Sequence, residues 1–139
     1  MAISQTMCSS FKQQILLGEH DLETDVLKIA LYTSSATLGA STTVYTTSDE
    51  VVGTGYVAGG NTLTGVTVSL SGTTSFVTFD NTTWAASTFT ARGALIYNSS
   101  KSDKAIAVLD FGGDKSSISA PFTIEFPPDT VTSAILRIA

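Results

Sequence analysis

Thr88-Phe89-Thr90-Ala91-Arg92-Gly93-Ala94-Leu95-Ile96-Tyr97 and, beyond the turn cluster Asn98-Ser99-Ser100, Lys104-Ala105-Ile106-Ala107-Val108-Leu109-Asp110-Phe111 decide the fold class. Over 94–97 and 105–109 every residue is apolar. Side chains alternate between faces along a strand, so an unbroken apolar run predicts a central strand covered on both sides, by a helix or by a second chain. Arg92 interrupts the first run. A covered cation without a partner is costly, so Arg92 is expected to pair with a carboxylate such as Asp80 or Asp110, or with a neighbouring subunit.

Outward from this pair, short β-rich runs recur at 26–33, 50–58, 62–70, 75–80, 122–126 and 133–138. Gly59-Gly60-Asn61, Ser71-Gly72 and Gly112-Gly113-Asp114 separate them as turn clusters. Several runs alternate: Leu27, Ile29 and Leu31 oppose Lys28 and Tyr32, Val66, Val68 and Leu70 oppose Thr67 and Ser69, and Phe122, Ile124 and Phe126 oppose Thr123 and Glu125. That is the half-buried antiparallel pattern. Residues 34–48 are rich in Ser and Thr and read as a long loop.

The one helix expected is at 9–18, with Ser9 or Ser10 as N-cap, Phe11, Ile15 and Leu16 on its apolar face, and Gly18 ending it. The fold class is therefore mainly β, an antiparallel β-sandwich or jelly-roll-like barrel with one short N-terminal helix. Residues 1–24 form an arm and helix, and 25–139 a single domain.

Of the 139 residues 42% are hydrophobic and 14% charged, well below the usual charged share of about a quarter, so hydroxyls and backbone dominate the surface. Neutral hydroxyls cost less to desolvate than charges, which suits a face that another protein covers. A net charge of −5 argues against nucleic acid, whose binding needs clustered Lys and Arg. Cys8 is the sole cysteine, which rules out an internal disulfide and a cysteine-built metal site. The N-terminus has no basic region followed by an apolar run, and nothing approaches the roughly 18 apolar residues of a membrane span. The expectation is a soluble chain made in the cytoplasm, with no membrane partner.

Motifs for chemistry are sparse. His20 is the only histidine and reads as a solvated loop residue among Glu19, Asp21 and Glu23. Gly53-Thr54-Gly55-Tyr56-Val57-Ala58 mimics a dinucleotide fingerprint, but a turn follows where a helix is needed, so the glycines read as a bulge or a close backbone approach. Asp110-Phe111-Gly112 spells a kinase tripeptide without the rest of a kinase and reads as a turn. Asp103, Asp110 and Asp114 lack calcium-loop spacing. Asn81-Thr82-Thr83 and Asn98-Ser99-Ser100 read as turns, not as glycosylated sites. Trp84 reads as a core residue beside Phe76, Phe79 and Phe89. No catalytic residue, cofactor or metal is expected.

Ser10-Phe11-Lys12, the run Leu27-Lys28-Ile29-Ala30-Leu31-Tyr32-Thr33, Gly53-Thr54-Gly55-Tyr56 with Gly59-Gly60, the run from Thr90 through Tyr97, and Leu109-Asp110-Phe111-Gly112-Gly113 together resemble a family of small virion structural proteins of tailed bacteriophages. The similarity spans nearly the whole chain. It implies a capsid decoration or cement protein that binds the major capsid protein, stabilises the head and forms a homo-oligomer. Candidate partner contacts are Phe11, Ile15, Leu16, Tyr45, Tyr56 and Arg92. The alternative is a tail, neck or fibre-associated module touching host glycan, with Trp84, Tyr45 and Tyr56 as stacking residues. A glycan hydrolase would need facing carboxylates such as Asp80 and Asp110, which nothing in their spacing recommends.

Overall fold

Local chain chemistry sets each element in turn. The computed structural model describes residues 2–126 and 136–138; Met1, residues 127–135 and Ala139 lie outside the described residues, including the first half of the strand expected at 133–138. In chain order the elements are β1 (Thr6–Met7), α1 (Ser9–Leu16), β2 (Leu27–Tyr32), β3 (Asn61–Thr62), β4 (Thr67–Ser71), β5 (Thr74–Thr78), β6 (Thr82–Asn98), β7 (Lys104–Ile124) and β8 (Leu136–Ile138). A 3-10 turn, Ser99–Lys101, joins β6 to β7. The fold is mainly β, with two antiparallel sheets, β1-β7-β6-β2-β3 and β4-β5-β8, and one short helix.

The two apolar runs sit at the centre of the larger sheet. Leu95 pairs with Val108 and Ile96 with Ala107, and residues 94–98 and 105–109 are buried on both faces. Antiparallel partners share a face. Ile29, Ile96 and Ala107 therefore look one way, and Ala30, Leu95 and Val108 the other. α1 packs against β7 through Phe11, which touches the His20 ring on the Asn98 side of the sheet. The opposite face is covered by the long loop after β2, where Tyr45 stacks on Tyr97 and the Tyr32 hydroxyl donates to the Thr46 carbonyl.

α1 starts at Ser9, with Cys8 as its N-cap in place of the expected Ser9 or Ser10. Thr6 and Met7 are still paired with β7, and the Cys8 amide donates to the Ile106 carbonyl, so helical geometry can begin only afterwards. Gly18 ends the helical turn at φ 72°.

Four further expectations are corrected. Residues 50–58 form no strand; their backbone pairs with the sheet at isolated bridges, Tyr32 with Glu50 and Thr54 with Thr88. Glycine lets this segment lie directly on β6: a Cβ at Gly53 would sit 2.5 Å from the Thr88 carbonyl oxygen. The run at 62–70 divides into β3 and β4, which belong to different sheets. The runs at 104–111 and 122–126 are one strand, β7, and Gly112-Gly113-Asp114 is a bulge within it. Between the pairs Ala91 with Lys115 and Gly93 with Asp110, the extra residues of β7 loop out opposite Arg92. Finally, Leu70 is 73% exposed, so the apolar row of β4 is largely left uncovered.

Beyond the bulge, the hairpin of β6 and β7 folds over a second apolar centre. Trp84 is 4% exposed and packs against Phe89 and Phe122, and Tyr56 closes over the first two rings.

Candidate functional site

Glu50 lies at the centre of the loop that covers the sheet, and its side chain is buried. One carboxylate oxygen accepts from the Tyr45 hydroxyl at 2.7 Å; the other accepts from the Tyr56 hydroxyl at 2.5 Å and from the Gly59 amide at 2.8 Å. The Tyr97 hydroxyl donates to the Gly59 carbonyl, and the Leu31 amide donates to the Tyr56 hydroxyl. Burial first, and then the Glu50 carboxylate, push the Tyr45 and Tyr56 phenols well above the ordinary tyrosine range. Burial pushes Tyr97 up to about 12. A buried carboxylate holding three donors is a strong internal clasp.

His20 is buried, not solvated. Its Nδ1 lies 3.0 Å from the Asn98 amide nitrogen and its Nε2 2.9 Å from Gln14 Oε1. Asn98 can only donate through that nitrogen, so Nδ1 accepts and Nε2–H donates: the ring is neutral in this arrangement. Asn98 also donates to Asp25, and Asn98 Oδ1 receives the Ser100 amide. Desolvation, with Lys104 second, lowers the His20 pKa. The cause of the misreading is spatial: Asn98, 78 residues away, caps the ring.

Arg92 pairs with Asp110 at 3.3 Å, one of the partners expected for it. The Gly112 amide, and then Arg92, hold the Asp110 carboxyl below the ordinary carboxylate range. Asp80 lies elsewhere, against Gly65 and the Thr64 hydroxyl. The structure thus gives the two acids separate partners. Among the described residues no group of three or more His, Cys, Asp or Glu is placed to hold a metal ion. Cys8 is buried, and desolvation raises its thiol to about 11.

No family model, curated protein or solved structure matches this chain. Its own surface is therefore the guide.

Of the candidate contacts, Phe11 is 1% exposed and belongs to the core, while Ile15, Tyr45 and Tyr56 are partly buried against that core. Arg92 is half-buried with Asp110. Leu16 is different: it is 88% exposed, and Leu17 beside it 68%. Val52 and Val57, on the segment that lies across β6, and Ile118 of β7 are also strongly exposed. Among the described residues no helix is long and apolar enough to cross a membrane. Sequence reasoning missed Glu50, Asn98, Leu17 and Leu70. Glu50 and Asn98 stand in no motif, because their partners come from distant segments; Leu70 carried an apolar alternation that was read as inward-facing, and Leu17 lay outside the helix face that was read.

Proposed function

We propose that this chain is a virion structural protein of a tailed bacteriophage, a capsid decoration or cement protein that binds the major capsid lattice and stabilises the head. The observation that carries the reading is the exposure of aliphatic side chains on a small β fold, Leu16 and Leu17 at the end of α1 and Val52, Val57 and Ile118 elsewhere. Water-exposed aliphatic groups gain free energy when another protein covers them. The titratable groups of the Glu50 and His20 clusters are engaged inside the fold, which supports a role in contact over one in chemistry. The whole-chain resemblance to small virion proteins points the same way. On a repeating lattice, a module of modest affinity per contact is retained by multivalency.

The test adds purified protein to phage heads stripped of their accessory proteins. Decoration predicts saturable binding at a lattice-defined stoichiometry and a rise in head stability. Labelling confined to tails would replace this reading with the tail, neck or fibre module, and binding to neither would end both. In the glycan version of that alternative, Trp84 cannot stack on a sugar from its position in the aromatic centre.

A further inference from the structure

The uncovered row of β4 lies on one face with parts of β5 and β8. By register, Leu70, Ser75 and Ile138 form one cross-strand row and Val68, Val77 and Leu136 the next. Leu70 is 73% and Ile138 52% exposed, whereas Val77 and Leu136 are buried. Between this face and α1 runs a groove of about 450 Å³, with Phe11, Leu22, Val77 and Leu136 buried along it and Asp21, Glu23 and Arg137 exposed in its lining. Leu16 and Leu17 stand beside it, between the lining residues Ile15 and Gly18.

We infer that this face is the contact between two copies of the chain, Leu16 and Leu17 of each copy seated in the groove of the other. The inference deepens the assembly reading and takes from it the expectation of an oligomer. Knob and groove belong to one patch, so a two-fold axis lets each copy fill the other, and the interface closes without leaving a patch over. Charge favours the same occupant. Lys12 stands four residues before Leu16, on the same side of α1, and has no ion-pair partner among the described residues. Asp21 and Glu23 in the lining likewise have none. A visiting helix with Leu16 in the groove brings its Lys12 to the side of the groove that holds Asp21 and Glu23. The edge of β4 itself is an unsuitable alternative, because Glu23 accepts the outward-pointing Val68 amide and blocks strand addition there.

The test is sedimentation of the full chain over a wide concentration range. The wild type is expected to dimerise, and Leu16→Asp with Leu17→Asp to raise the dimer Kd at least about a hundredfold, as loss of a central apolar anchor does. Circular dichroism checks that this variant stays folded. Lys12→Glu and Glu23→Lys should each weaken the dimer, and their combination should recover part of the loss. A wild type that stays monomeric throughout overturns the inference, as does a dimer indifferent to the leucine changes. A monomer that binds phage heads through Leu16 and Leu17 also overturns it, with the assembly reading left standing. A dimer that binds no part of a virion does the reverse.

Discussion

Replacing Glu50 with Ala removes the acceptor for three donors at once, the Tyr45 and Tyr56 hydroxyls and the Gly59 amide. A buried donor left without a partner costs about 1–3 kcal/mol, and bonds to a charged acceptor lie toward the upper end. Gly59 N–H is fixed by the backbone and bears the full penalty. The hydroxyls can turn, and Tyr45 is only partly buried, so water restores part of theirs. The expected loss is therefore about 3–5 kcal/mol, a large share of the ordinary stability of about 5–15 kcal/mol. Glu50→Gln keeps the shape and one acceptor oxygen for Tyr56 and Gly59, while its amide meets a Tyr45 hydroxyl that can reverse and accept. Its cost should be about 1–2 kcal/mol. Urea unfolding followed by tryptophan fluorescence measures both, with the midpoint shifting at constant slope. An Ala variant within about 0.5 kcal/mol of wild type, the ordinary range for a surface change, would refute the clasp, as would equal losses for Ala and Gln.

Three further outcomes follow from the same reasoning. His20 has a folded pKa below its unfolded value, so the unfolded chain takes up the proton more readily; stability is full above about pH 6.5 and falls as the pH drops toward the folded pKa. Unfolding midpoints from pH 8 to 5 should show that decline, His20→Gln should flatten it, and an unchanged slope would remove His20 as its source. At Gly60 a Cβ would meet the Ile29 carbonyl oxygen at 1.8 Å, with φ at 78°, so Gly60→Ala should cost about 2–4 kcal/mol; Gly72→Ala, at φ 59° with open space around it, should cost about 1 kcal/mol by calorimetry. Trp84→Ala empties the aromatic centre and should cost about 3–5 kcal/mol by urea unfolding followed by circular dichroism, since it removes the only tryptophan; a stable, folded variant would place Trp84 outside the core.

The centre of the fold was legible because its signal is local. Ala94-Leu95-Ile96-Tyr97 and Ala105-Ile106-Ala107-Val108-Leu109 announce two-sided burial in their composition, and the structure covers both faces. Trp84 and the pairing of Arg92 could be read for the same reason, from neighbours in sequence and from the cost of a buried charge. Errors arose where distant chain decides. His20 is taken out of water by Asn98, and the strand expected at 50–58 does not form, although the close backbone approach read for Gly53 and Gly55 is there against β6. Gly112-Gly113 carries a turn signature, but β6 continues alongside and turns it into a bulge. Leu70 has the alternation of a core residue, and only the narrowness of the β4-β5-β8 sheet leaves it outside.

The long hairpin of β6 and β7 also sets an order of events during synthesis. Its strands are neighbours in sequence, joined by the turn at Ser99–Lys101, so closing them demands little loop entropy. The rest of the larger sheet builds on them: β2 leans on β6, β3 on β2, and β1 pairs with β7 at Thr6 with Val108 and Met7 with Ala107. A ribosome emitting this chain from its N-terminus therefore releases Ile29, Leu31 and the loop of Glu50 before their partners exist. The hairpin is expected to form first and to serve as the template on which the earlier-made half condenses. Truncation short of Val108 should consequently yield a chain that stays unfolded, whatever its composition promises.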